Sequence, residues 1–85
     1  MVRCPMAWYF FDSRDDGEVV VDDVGLEVAG LPAVKVLAAK GLAELALDVL
    51  PGSSERCLGI DVRDSGSNPV LTTELTFQAR VLVVP

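Results

Sequence analysis

One segment of this chain has helical period, and that limits the fold more than any other feature. From Leu31 to Leu50 the apolar residues Leu31, Val34, Ala38, Leu42, Leu45 and Val49 recur at steps of three and four, which predicts an amphipathic helix. Pro32 suits its first turn, where a backbone N–H is not needed, and Pro51-Gly52 stops it. On both sides of this segment the period changes to two. A single helix covers only one face of a sheet, so the strands around it must form a two-layer structure with one face left to other cover.

Before the helix, Ala7 to Ser13 reads as a strand, because Trp8, Tyr9, Phe10 and Phe11 fit a pleated surface better than a helix. Arg14-Asp15-Asp16-Gly17 supplies the Asp-Gly pair of a tight hairpin turn. Glu18 to Asp22 follows as a second strand, with Glu18, Val20 and Asp22 outward and Val19 and Val21 inward. Asp23 to Gly30 reads as a connector. After the helix and the loop Gly52 to Arg56, Leu58, Ile60 and Val62 alternate with Gly59, Asp61 and Arg63. Ser65 to Pro69 is a turn cluster, and from Val70 onward Leu71, Leu75, Phe77, Ala79 and Val81 alternate with Thr72, Glu74, Thr76, Gln78 and Arg80. The expected fold is α+β: a two-layer β-β-α-β-β sandwich, one helix packed on a four-stranded, mainly antiparallel sheet. A chain of 85 residues holds one such domain, expected over 7–85, with Met1–Met6 as a disordered N-terminal tail.

Thirteen Asp and Glu against seven Lys and Arg give a net charge of −6, which argues against a nucleic-acid partner, since affinity for a phosphate backbone comes mainly from basic side chains. The chain has no histidine, and so lacks the commonest acid-base group and metal ligand. Cys4 and Cys57 have no CxxC companion and no histidine to activate them as nucleophiles; in a cytosolic protein they read as free thiols, with a Cys4–Cys57 bridge as the alternative. Ser53 and Ser54 stand in a plain loop beside Glu55. Asp15-Asp16 and Asp22-Asp23 occupy turns too exposed to shift a pKa. Asp12, Asp16, Gly17 and Asp23 fall in an EF-hand-like register, but Arg14 sits at its third position, where a cation repels calcium. The expectation is no enzyme, no catalytic residue, no cofactor and no metal. No apolar run approaches the ~18 residues of a membrane helix and no signal segment opens the chain, so a cytoplasmic protein without membrane contact is expected.

Two surfaces then stand out. Seven of the thirteen acids fall within Met1–Gly30, and Asp12, Asp15, Asp16, Glu18, Asp22 and Asp23 mark an acidic first hairpin that faces a partner. Asp61, Arg63 and Asp64 read as a polar strand face and turn, with Arg63 available for cross-strand pairing. The first strand is apolar on both faces, and Leu37 and Leu47 project near the helix's polar side, marked by Lys40, Glu44 and Asp48. Trp8, Phe10, Val20, Leu37 and Leu47 are therefore expected to form a self-association surface, giving a homodimer through the helix-free face of the sheet.

Tyr9-Phe10-Phe11-Asp12, Asp22-Asp23-Val24-Gly25-Leu26-Glu27, Leu42 to Pro51, Ile60-Asp61-Val62-Arg63-Asp64 and Pro69-Val70, in this order and spacing, resemble a bacterial family of short domains of unknown function. The resemblance spans Ala7 to about Phe77. It implies a stand-alone cytoplasmic protein with no known catalytic residues. The chain departs from the family's pattern at Leu37 and Leu47, where members usually carry a charge, and in Met1–Pro5, since members commonly begin at a methionine matching Met6. Two functions follow as expectations: a non-enzymatic protein-interaction module that self-associates, or an antitoxin-like or inhibitor domain that meets a basic protein through its acidic hairpin.

Overall fold

The structure is a computed structural model, described for residues 6–83. Its element order is β1 (Ala7–Asp15), β2 (Glu18–Val20), β3 (Leu26–Val28), α1 (Leu31–Val49), β4 (Glu55–Asp64) and β5 (Pro69–Gln78). The five strands form one open antiparallel sheet in the order β2-β1-β4-β5, with β3 pairing β1 beyond the end of β2. This is the α+β arrangement of a helix on a sheet, with one more strand than the sequence suggested. The extra strand lies in the expected connector: Leu26, Glu27 and Val28 pair with Tyr9, Trp8 and Ala7. The tail Met1–Met6, Cys4 included, lies outside the described residues except for Met6, which precedes β1 and is exposed.

Local sequence explains the elements. Asp16 and Gly17 both take positive φ, 49° and 90°, which is the geometry a two-residue hairpin needs to keep the twist of β1 and β2 in step. The helix starts after Gly30 with Pro32 in its first turn. It ends where Pro51 follows Leu50, while Ser53 Oγ donates to the orphan carbonyl of Val49 at 2.6 Å. β5 stops at Gln78 although the alternation runs on to Val81. β4 begins at Glu55 and Ala79 N–H finds its partner in Ser54 O at 2.8 Å, so the residues beyond have no ladder to join.

The helix buries Val34, Ala38 and Leu42 against Leu58, Ile60 and Val62 of β4, with Val28 of β3 closing one end. Fully burying a side chain of this kind contributes about 1.5–3 kcal/mol, and the central position of β4 explains why its inward row is the most buried. Tyr9, Phe11, Leu71 and Leu75 flank this row on the same face. The predicted stripe is corrected at two places. Leu31 is exposed, because it precedes the turn that first meets the sheet. Leu37, expected on the surface, is half-buried and packed against the core, because β3 brings Leu26 alongside β1 and widens the apolar side of the helix.

Candidate functional site

The sheet face away from the helix is where the charged residues meet. The pairing register places Phe10, Asp12 and Arg14 of β1 beside Arg63, Asp61 and Gly59 of β4. Arg14 Nε donates to Asp61 Oδ2 at 2.6 Å and its Nη2 to Asp61 Oδ1 at 3.3 Å, and Nη2 also reaches the Thr73 carbonyl of β5 at 3.2 Å. Thr72 Oγ1 donates to the same Asp61 carboxylate at 2.7 Å. One arginine thus ties three strands together. The reach requires Gly59, since a Cβ there would overlap the Arg14 guanidinium.

Arg63 makes the second centre. Its Nε donates to Asp12 Oδ2 at 3.0 Å and its Nη2 to the Asp22 carbonyl at 2.8 Å, while its guanidinium carbon lies 4.7 Å from the centroid of the Phe10 ring. Gly25, at φ 77°, packs on the same ring, where a Cβ would come within 2.7 Å of Phe10 Cε2. The Asp22 carboxylate accepts N–H bonds from Phe11, Val24 and Gly25. Asp22 N–H in turn donates to Asp12 Oδ1 at 2.9 Å. These bonds hold the chain between β2 and β3 against the middle of β1, in the gap between the two pairings. The cross-strand pairing expected of Arg63 is therefore made, and its partner is Asp12.

Protonation follows from these contacts. The hydrogen bond to Asp61 raises Arg14 above its ordinary value, outweighing desolvation. Arg14 and Thr72 hold Asp61 below the usual carboxylate range. Burial pushes Asp22 up, but the amides of Gly25, Phe11 and Val24 and the charge of Arg63 together take it lower. Asp64 is lowered by the Asn68 amide in the β4–β5 turn. Carboxylates fixed as anions by arginines and amides are poor proton donors at neutral pH. Among the described residues, no group of three or more His, Cys, Asp or Glu is placed to hold a metal ion. The EF-hand-like register is drawn apart, with Asp12 on Arg63 and Asp16 at the hairpin tip, where its Oδ1 accepts the Cys57 N–H at 2.8 Å. Cys57 forms no disulfide among the described residues.

This changes the acidic hairpin. Asp12 and Asp22 belong to the Arg63 centre, Asp15 pairs with Arg56 at 2.9 Å and Asp16 lies 3.6 Å from the same arginine. Glu18 and Asp23 remain exposed with no ion pair among the described residues. Three of the N-terminal acids, Asp12, Asp15 and Asp16, thus bind arginines of β4, and a fourth, Asp22, binds backbone amides, pairings that charge counting along the chain does not reveal.

The apolar set is also redistributed. Trp8 and Phe10 share the helix-free face, but Phe10 is covered by Gly25 and Arg63 and a charged centre occupies the middle of that face. Val20 pairs with Ser13 and so projects to the opposite side, reversing the inward and outward assignment of the second strand. Leu37 is packed down, and Leu47, 76% exposed, stands on the side of the helix toward β5. These residues do not form one patch. Instead, an open groove of about 600 Å³ runs between the C-terminal half of α1 and β5, lined by Ala43, Ala46, Leu47, Leu50, Leu75 and Phe77 with Pro51 at its end. Past the end of β5, Val81, Leu82 and Val83 are exposed as well. The period-two pattern from Val70 onward contained the signal for this edge, but the groove itself needed the helix position.

Fold and site together define a small open-faced α+β domain whose bare sheet face is cross-linked by aspartate–arginine pairs. The chain belongs to the family described as Domain of unknown function (DUF6894), which matches residues 8–76. The segments that carry the resemblance noted above all lie within or against the two arginine centres, except the helix end. No curated protein and no solved structure matches the chain. Among the described residues, no helix is long and apolar enough to cross a membrane.

Proposed function

We propose that this domain is a cytoplasmic, non-enzymatic protein-interaction module that self-associates. The observation that carries this reading is the apolar groove between α1 and β5, open to solvent and continuous with a sheet edge that pairs with no further strand among the described residues. Contiguous apolar surface of this kind costs free energy while exposed and is regained on association. The charged centres support a scaffold role, since their carboxylates are already bound to arginines and backbone amides. An inhibitor role through the acidic hairpin draws largely on residues the fold already uses, and of its six acids Glu18 and Asp23 are exposed with no ion pair among the described residues, so self-association is the better-supported reading.

Sedimentation velocity over a concentration series tests it. The expected result is reversible formation of a dimer with little dependence on salt, as for an apolar interface. A chain that sediments at its 9.1 kDa monomer mass throughout is against the proposal.

A further inference from the structure

We propose that the second copy docks on the free edge of β5, antiparallel to it, across a two-fold axis through Phe77. This rests on the self-association reading and names the surface, the register and the occupant. β5 is ten residues long and, among the described residues, is the outer strand of the sheet. Ala79 N–H donates to Ser54 O, so the odd-numbered residues of β5 turn their backbone groups toward β4. By the alternation of an antiparallel ladder, the N–H and C=O groups of Glu74, Thr76 and Gln78 then face the free edge. Edge strands are usually guarded by lysines, prolines or bulges. From Val70 to Val83 there is no lysine or proline, and Glu74 and Arg80 are the only charged residues.

Those two charges set the register. Glu74 and Arg80 stand three residues before and after Phe77 and share the parity of the helix-free face. In an antiparallel pair centred on Phe77, Glu74 faces the partner's Arg80 and Arg80 faces the partner's Glu74, two opposite-charge pairs from one self-complementary strand. Thr76 and the partner's Gln78 both present edge-facing backbone groups and exchange hydrogen bonds. On the helix side, Phe77 meets the partner's Phe77, and Thr73 and Leu71 meet the partner's Val81 and Val83. This closes the outer side of the groove and covers residues that are otherwise 89% and 78% exposed. The strand period that outruns β4 thereby gains a ladder, and a two-fold contact closes on itself as a dimer instead of propagating as a fibre.

The test is sedimentation equilibrium of wild type, Arg80→Glu, Glu74→Arg, the double reversal and Thr76→Pro, each checked for folding by circular dichroism. Thr76→Pro removes an edge-facing N–H that β4 does not use, so the fold tolerates it. The expected result is that each single reversal weakens the dimer at least about tenfold, the double reversal restores most of the affinity, and Thr76→Pro is a folded monomer. A wild-type dimer indifferent to Thr76→Pro and to the single reversals overturns this edge while leaving self-association standing. A wild type that never dimerises removes both.

Discussion

The Arg14 guanidinium occupies the space where a side chain at Gly59 would begin, and from there it binds Asp61 and the Thr73 carbonyl. A glycine in the middle of a central strand ordinarily weakens it, so its presence here marks a close approach by another group. In this domain that group is an arginine that joins β1 to β4 and β5.

Gly59→Ala is expected to destabilise the domain by about 1–3 kcal/mol, because the methyl group overlaps Arg14 and lies 2.8 Å from Thr73 O. In an Arg14→Ala background the same change should cost less, leaving only the approach to Thr73. Urea denaturation of the four proteins measures the coupling, and strict additivity would show that Gly59 is not kept small for Arg14.

Arg63→Lys should be far from conservative. A lysine cannot reproduce the paired bonds to Asp12 and the Asp22 carbonyl while lying over Phe10. The expected loss is about 1–2 kcal/mol, moderated because both side chains are partly exposed. Thermal melts read it directly. Amide exchange should quicken at Val24 and Gly25, whose bonds to Asp22 depend on the same corner.

Acid should loosen the domain in a defined direction. Asp22, Asp61 and Asp64 are held below their ordinary range, so each stabilises the fold above the unfolded aspartate pKa of about 3.9. That contribution is lost as pH falls through the lower folded values. Urea midpoints should be flat from about pH 7 to about pH 5 and drop below about pH 4. Asp61→Asn should lower stability near neutral pH and make the acid decline shallower.

Gly41→Ala offers the opposite sign. Gly41 lies inside α1, and a Cβ there would meet Ile60 Cδ1 at 3.8 Å, an ordinary contact. Alanine in a helix interior is favoured over glycine by about 1 kcal/mol, so a rise in melting temperature of roughly 4–8 °C is expected. A fall would show that the helix sits closer to β4 than this geometry allows.

Local pattern alone was enough for the elements whose signals are local. The three-and-four spacing and Pro51-Gly52 gave the helix, Asp16-Gly17 the hairpin, and the alternation of Leu58, Ile60 and Val62 the central strand. β3 was hidden because three residues between glycines carry too little period to read, and only pairing with β1 makes them a strand. Leu37 and Val20 were misplaced for a related reason: one depends on where β3 lies, the other on hairpin register.

What the amino-acid sequence determined by itself is the order of elements, the surplus of acids and the absence of histidine chemistry. Tertiary structure decided what those acids do. Asp12, Asp15 and Asp61 lie far along the chain from Arg63, Arg56 and Arg14, and charge pairing depends on distance in space, which the antiparallel register of β1 and β4 sets. The same packing left β5 at the edge and opened a groove beside it, because one helix of nineteen residues cannot cover the full width of the sheet.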